Sequence, residues 1–152
     1  MMGMEQGPWW AALTMWAVVN TVNIAQAVGF ASRSRYGMAV NRALGLLIAA
    51  LAIPATIALV GFLRAGNPWW IGLAVFDAFV VLMLVVDYLR PVQWRHPAKP
   101  AILVPYLVLF FGSILLMGIP MYYLNRGLWL VTVATTAALL VTMTLGIRKG
   151  TA

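Results

Sequence analysis

The sequence predicts an all-α integral membrane protein: a bundle of five transmembrane helices forming a single domain over residues 1–152, with the N-terminus outside and the C-terminus cytoplasmic. Three observations lead there. Hydrophobic residues make up 64% of the chain and charged ones only 9%, against about 45–50% and 25% in soluble domains. Five apolar stretches each approach the roughly 20 residues that a helix needs to cross a hydrocarbon core. The basic residues collect on alternate connections.

The stretches fall at about 9–31, 42–63, 69–88, 101–122 and 128–147. Glu5 and the lack of Lys or Arg before the first stretch argue against a cleaved signal peptide, so the first helix is expected to be retained. Asn41 is placed to cap the second helix by accepting from an amide of its first turn. Pro54, near the middle of that helix, should kink it by removing a donor. The segment Arg64-Ala65-Gly66-Asn67-Pro68 supplies a glycine to stop one helix, then a cap and a proline to start the next. Asn125-Arg126-Gly127 does the same in fewer residues. Two antiparallel hairpins are therefore expected beside a lone first helix.

Arg33, Arg35, Arg42, Arg90, Arg95, Lys99, Arg148 and Lys149 lie on one side, and only Arg64 and Arg126 on the other. The positive-inside rule puts the richer side in the cytoplasm, with the plasma membrane of a prokaryote as the expected location. Trp9, Trp10, Trp69, Trp70, Trp129, Tyr122 and Tyr123 gather at the outer ends, and Tyr36, Tyr88 and Trp94 at the inner ends, as amphipathic rings do at both interfaces. The net charge of +7 is thereby assigned to orientation and to anionic lipid heads rather than to nucleic acid. The inner loop 90–100, with His96, reads as a proline-stiffened basic segment held at those heads.

Small residues four apart, Gly45 with Ala49, Ala74 with Ala78 and Ala134 with Ala138, are expected to let helices approach closely. Polar residues far from the ends are the candidate binding residues. Asp77 lies eight residues in from Trp69, or about 12 Å at the helical rise. A carboxylate there costs about 2.5–3.5 kcal/mol on insertion scales, which makes it a functional candidate. Asn20 and Asn23 share a face with Trp16 and Ala27, and Gln26 extends the stripe; that face should turn inward, with Asp77 as partner. Ser113 and Thr136 add hydroxyls to the same layer, and Thr132 and Thr135 lie on the Thr136 face. Such hydroxyls commonly bond only their own helix. A weak similarity between Trp70…Asp77-Ala78 and Trp129…Thr136-Ala137 would set Asp77 and Thr136 at like depth. Asp87, three residues before Arg90, is expected to pair with it.

The chain has no cysteine and one histidine, which excludes disulfides, thiolate nucleophiles and multi-histidine metal sites. No nucleophile and base pair presents itself, so an enzyme is not expected, and no cofactor is indicated. The expected function is a small transport or ligand-binding protein using Asn20, Asn23, Asp77, Ser113 and Thr136; the alternative is an accessory subunit of a larger membrane complex. Either role leads to the expectation of a homo-oligomer or of other membrane subunits as partners. The orientation is testable because the chain has no native cysteine. Single cysteines introduced at Gly3 and Thr151 should react with an impermeant thiol reagent from opposite sides of sealed vesicles, and labelling of both from one side would overturn the five-span topology.

Overall fold

In the computed structural model residues 7–91 and 99–149 are described, and among them every regular element is helical. The elements are α1 (Trp9–Tyr36), α2 (Met38–Ala50), α3 (Ala52–Arg64), α4 (Trp70–Met83) continuing into a π-helical segment (Leu84–Leu89), α5 (Pro100–Leu124) and α6 (Arg126–Arg148). Joined end to end across their breaks, they give five helices long and apolar enough to cross a membrane. The lipid contacts expected of Trp94, Arg95 and His96 lie outside the described residues.

The breaks arise from local chemistry. Gly37 takes φ 62° and ψ −147°, a region open essentially to glycine alone. There α1 ends and α2 begins at once, so Asn41 lies inside α2 and does not cap it, contrary to the sequence expectation. Its Oδ1 instead packs where Gly29 of α1 has no side chain: a Cβ at Gly29 would meet it at 2.8 Å. Between α2 and α3 the helix is interrupted at Leu51, three residues before Pro54, whose missing N–H leaves the Ala50 carbonyl without its helical donor. The Leu51 amide is shared between the carbonyls of Leu47 and Ile48 at 3.1 and 3.2 Å, which tightens the turn there. The proline expected to bend the helix thus lies beside an interruption of it.

At the α3–α4 connection Gly66 has φ 64°, its amide donates to Leu63 O at 3.1 Å, and the Asn67 amide donates to Phe62 O at 3.0 Å. This is the Schellman pairing that satisfies the last carbonyls of a helix. Asn67 is buried, and its Oδ1 accepts from the Trp69 amide at 2.9 Å, starting the next helix. Asn125 alone joins α5 to α6: its amide donates to Met121 O, and its Oδ1 accepts from the Leu128 amide at 3.1 Å.

Contrary to the picture of a lone first helix, α1 is the centre of the bundle. It packs on α2, α3, α5 and α6, while α4 closes the far side between α3 and α5. Half of the apolar stretch of α1 is buried, against 17% of that of α6. Between α4 and α5 the contact is aromatic: the Phe79 ring lies 5.1 Å from Tyr106 and 5.2 Å from Phe110, geometries worth about 0.5–1.5 kcal/mol each beyond area burial. The backbones come close at Gly72, where a Cβ would meet the backbone of Leu116 and Met117 at 3.0 Å.

The small-residue pairs behave unequally. Gly45 leaves room for the Tyr88 ring, whose hydroxyl donates to Arg42 O at 2.7 Å. Ala134 and Ala138 face outward from α6, and Ala78 faces outward from α4, so among the described residues no helix seats on them.

The π-helical segment was not legible in the sequence. The Arg90 amide reaches back five residues to Val85 O at 2.8 Å. One extra residue in a turn rotates the downstream side chains by about 100° around the helix. Within the segment Tyr88 meets α2, and the Tyr106 hydroxyl of α5 reaches Asp87 Oδ2 in a long contact of 3.5 Å.

Substituting Gly72→Ala should lower thermal stability in detergent relative to Gly112→Ala by about 1–3 kcal/mol, the usual cost of overpacking. Both gain the same helix propensity, but a Cβ at Gly112 would meet only Val75 Cγ1, at 3.9 Å.

Candidate functional site

The polar residues singled out by the sequence divide into two separate groups. The first is the seam between α1 and α6. The helices run parallel here, since Trp16, Asn20 and Asn23 meet Leu128, Thr132 and Thr135 with Thr136 at a constant offset. Asn23 Nδ2 donates to Thr136 Oγ1 at 2.9 Å and to Thr135 Oγ1 at 3.2 Å. Thr135 donates to Asn20 Oδ1 at 2.7 Å. Asn20 Nδ2 donates to Trp16 O at 2.8 Å and to Thr132 Oγ1 at 3.1 Å. The Trp16 indole then donates to Leu128 O at 2.9 Å. Donors and acceptors thus form one ladder along the helices.

Both amide hydrogens of Asn20 are used and its oxygen is accepted into the ladder, so its role is to hold α1 against α6. Asn23 is fully buried and also uses both hydrogens, but its Oδ1 has no partner. An unpaired buried acceptor costs about 1–3 kcal/mol. Gln26 is half-buried and takes no part in the ladder.

The second group is on α3 and α4. The partner of Asp77 is Thr56, not Asn20 or Asn23: the Thr56 hydroxyl approaches Asp77 Oδ2 at 3.0 Å and its own helix carbonyl Ala52 O at 2.8 Å. The sequence expectation failed here because helical spacing shows which residues share a face but not which helix that face meets. Asp77 Oδ1 is buried without a partner. A hydroxyl has one hydrogen. Thr56 can donate to an ionised Asp77, or donate to Ala52 O while accepting from a protonated one. The pair accommodates a proton either way. The charged residues of the two helices packed on α4 are confined to ends, since α3 carries only Arg64, in its last turn, and α5 carries none.

Ser113 is buried but donates to Phe110 O of its own helix at 2.7 Å, and joins neither group. Thr136 belongs with Asn23 and Asp77 with Thr56, so the weak internal similarity does not correspond to one shared site.

Thr56 was missed in the sequence, although a hydroxyl two residues after a mid-helix proline is a visible signal. It also lines a groove of about 720 Å³ that runs along α3 from Arg64 past Gly61 and Val60 to Ile57 and Thr56, with Pro8 and Trp10 forming the opposite wall. Gly61 shapes this wall, because a Cβ there would meet the Trp10 ring at 2.7 Å. Among the described residues no group of three His, Cys, Asp or Glu is placed to hold a metal. Comparison with protein-family models, with curated proteins and with solved structures finds no match.

The ladder makes a quantitative prediction. A double-mutant cycle of Asn20→Ala with Thr135→Val should give a coupling energy of about 0.6–2 kcal/mol, measured by unfolding in mixed micelles. Thr21→Val should couple to neither, since the Thr21 hydroxyl bonds only Ala17 O of its own turn.

Proposed function

We propose that this multi-pass membrane protein is a small transport or ligand-binding protein that works at Asp77, reached through the groove along α3. One observation carries the reading. Thr56 is a residue of the groove wall, and its hydroxyl is hydrogen-bonded to Asp77 Oδ2, so one residue links the groove to the carboxyl. A carboxyl set among apolar helices at this depth is a group suited to take up and release a proton as a ligand comes and goes. With the N-terminus outside, as the basic residues argue, the Arg64 end of the groove opens on the outer face.

A second reading, an accessory subunit within a larger assembly, draws support from the α1–α6 seam. A carrier would need an open polar layer, and Asn20, Asn23, Thr132, Thr135 and Thr136 are bonded largely to one another.

Two substitutions separate the readings. Asp77→Asn preserves shape and neutral hydrogen bonding, so it should melt within a few degrees of the parent while abolishing acid-driven quenching of a pH-sensitive dye enclosed in liposomes. Asp77→Leu should lower stability by leaving the Thr56 hydroxyl without its cross-helix partner. If Asp77→Asn is silent in the dye assay and Asp77→Leu is destabilised, proton coupling at Asp77 falls and the accessory role is favoured.

A further inference from the structure

We propose that the groove along α3 binds a single-chain lipid with an oxyanion head, the head at Arg64 and the chain laid along the helix toward Thr56. This rests on the reading of the groove as a ligand site, but not on proton coupling at Asp77. The size, shape, walls and charge of the groove define the ligand.

Its volume, about 720 Å³, lies in the range of small-molecule sites, roughly 300–1,000 Å³. Its floor follows one helix face through Thr56, Val60 and Arg64, at i, i+4 and i+8, a straight row along which an extended chain can lie. From Arg64 to Thr56 the distance along the helix is about 12 Å, enough for an acyl chain of medium length. Its walls are exposed apolar side chains: Ile57 is 58% and Trp10 50% accessible, on a surface that faces hydrocarbon once the bundle is in a bilayer. A ligand can therefore enter sideways from the membrane.

The charge selects the head. Among the described residues Arg64 is the one charged side chain lining the groove, and its planar fork of donors matches a carboxylate or phosphate. It lies at the end of the bundle opposite the basic inner connections, so this site is distinct from the attraction of anionic lipid to those loops. A cationic amphiphile would meet repulsion at the same place, and a neutral one would leave the guanidinium without an anion.

The test uses the full chain in nanodiscs of zwitterionic phosphatidylcholine, with a medium-chain fatty acid carrying a photoreactive diazirine in mid-chain. Irradiation followed by peptide mass spectrometry should place the label on Ile57, Val60 or Trp10. Decanoate in excess should compete, and decyltrimethylammonium should not. Arg64→Gln should reduce labelling about tenfold, the loss of one charge-assisted contact. Val60→Trp should fill the groove and abolish it. Arg64→Gln lies at an exposed helix end, so its melting temperature should match the parent and keep the result interpretable if Val60→Trp fails to fold.

Labelling spread over the outward faces of α5 and α6, or equal competition by the anionic and cationic amphiphiles, would overturn the proposal. So would unchanged labelling in Arg64→Gln. Asp77→Asn should retain full labelling. Groove labelling with a silent Asp77→Asn in the dye assay would sustain the lipid site and remove the coupled-transport reading, whereas coupling at Asp77 without groove labelling would do the reverse.

Discussion

Inside a bilayer no water is at hand to pair with a polar group, so each donor and acceptor must find its partner within the protein. That constraint sorts the polar residues of this chain. Thr14, Thr21, Thr142 and Thr144, on exposed helix surfaces, return their hydroxyls to carbonyls of their own turn. The two asparagines of α1 cannot do so fully, because each amide has two donors and an acceptor to place. They need a second helix that carries hydroxyls at matching intervals, and α6 is that helix.

The same constraint sets the position of α1. Hydrocarbon offers no hydrophobic drive between helices, so packing and hydrogen bonds must choose neighbours. A helix with its polar stripe on α6 and small residues such as Gly29 and Ala11 on other faces can be covered from several sides, and α1 becomes the core of the bundle. The face of α6 away from this seam is left to lipid. Where α4 meets α5, aromatic rings and the bare Cα of Gly72 replace hydrogen bonds as the means of close contact.

Breaks in the helices place the remaining chemistry. The interruption at Leu51 and Pro54 sets the start of α3, whose first turns carry Thr56 against Asp77. The π-helical turn after Met83 directs Tyr88 to α2 and aligns Asp87 with Tyr106 of α5. One such break was visible as a proline. The other contains neither proline nor glycine to mark it.

Five helices, the two turns at Gly66–Asn67 and Asn125, and the sorting of basic and aromatic residues were legible in the amino-acid order, because apolar length, Gly66, Asn67, Asn125 and Pro54 act through local backbone chemistry; the turn at Gly37 was not. Both halves of the α1–α6 ladder were also legible as separate faces, Asn20 with Asn23 and Thr132 with Thr135 and Thr136. It took the packed bundle to bring these faces together, to turn Asp77 to Thr56, to leave Ser113 bonded to its own helix, and to open a groove from Arg64 to Thr56. Periodicity sets the direction of a side chain about its own axis. Which axis lies opposite depends on all the helices packing at once, and no local pattern carries that information.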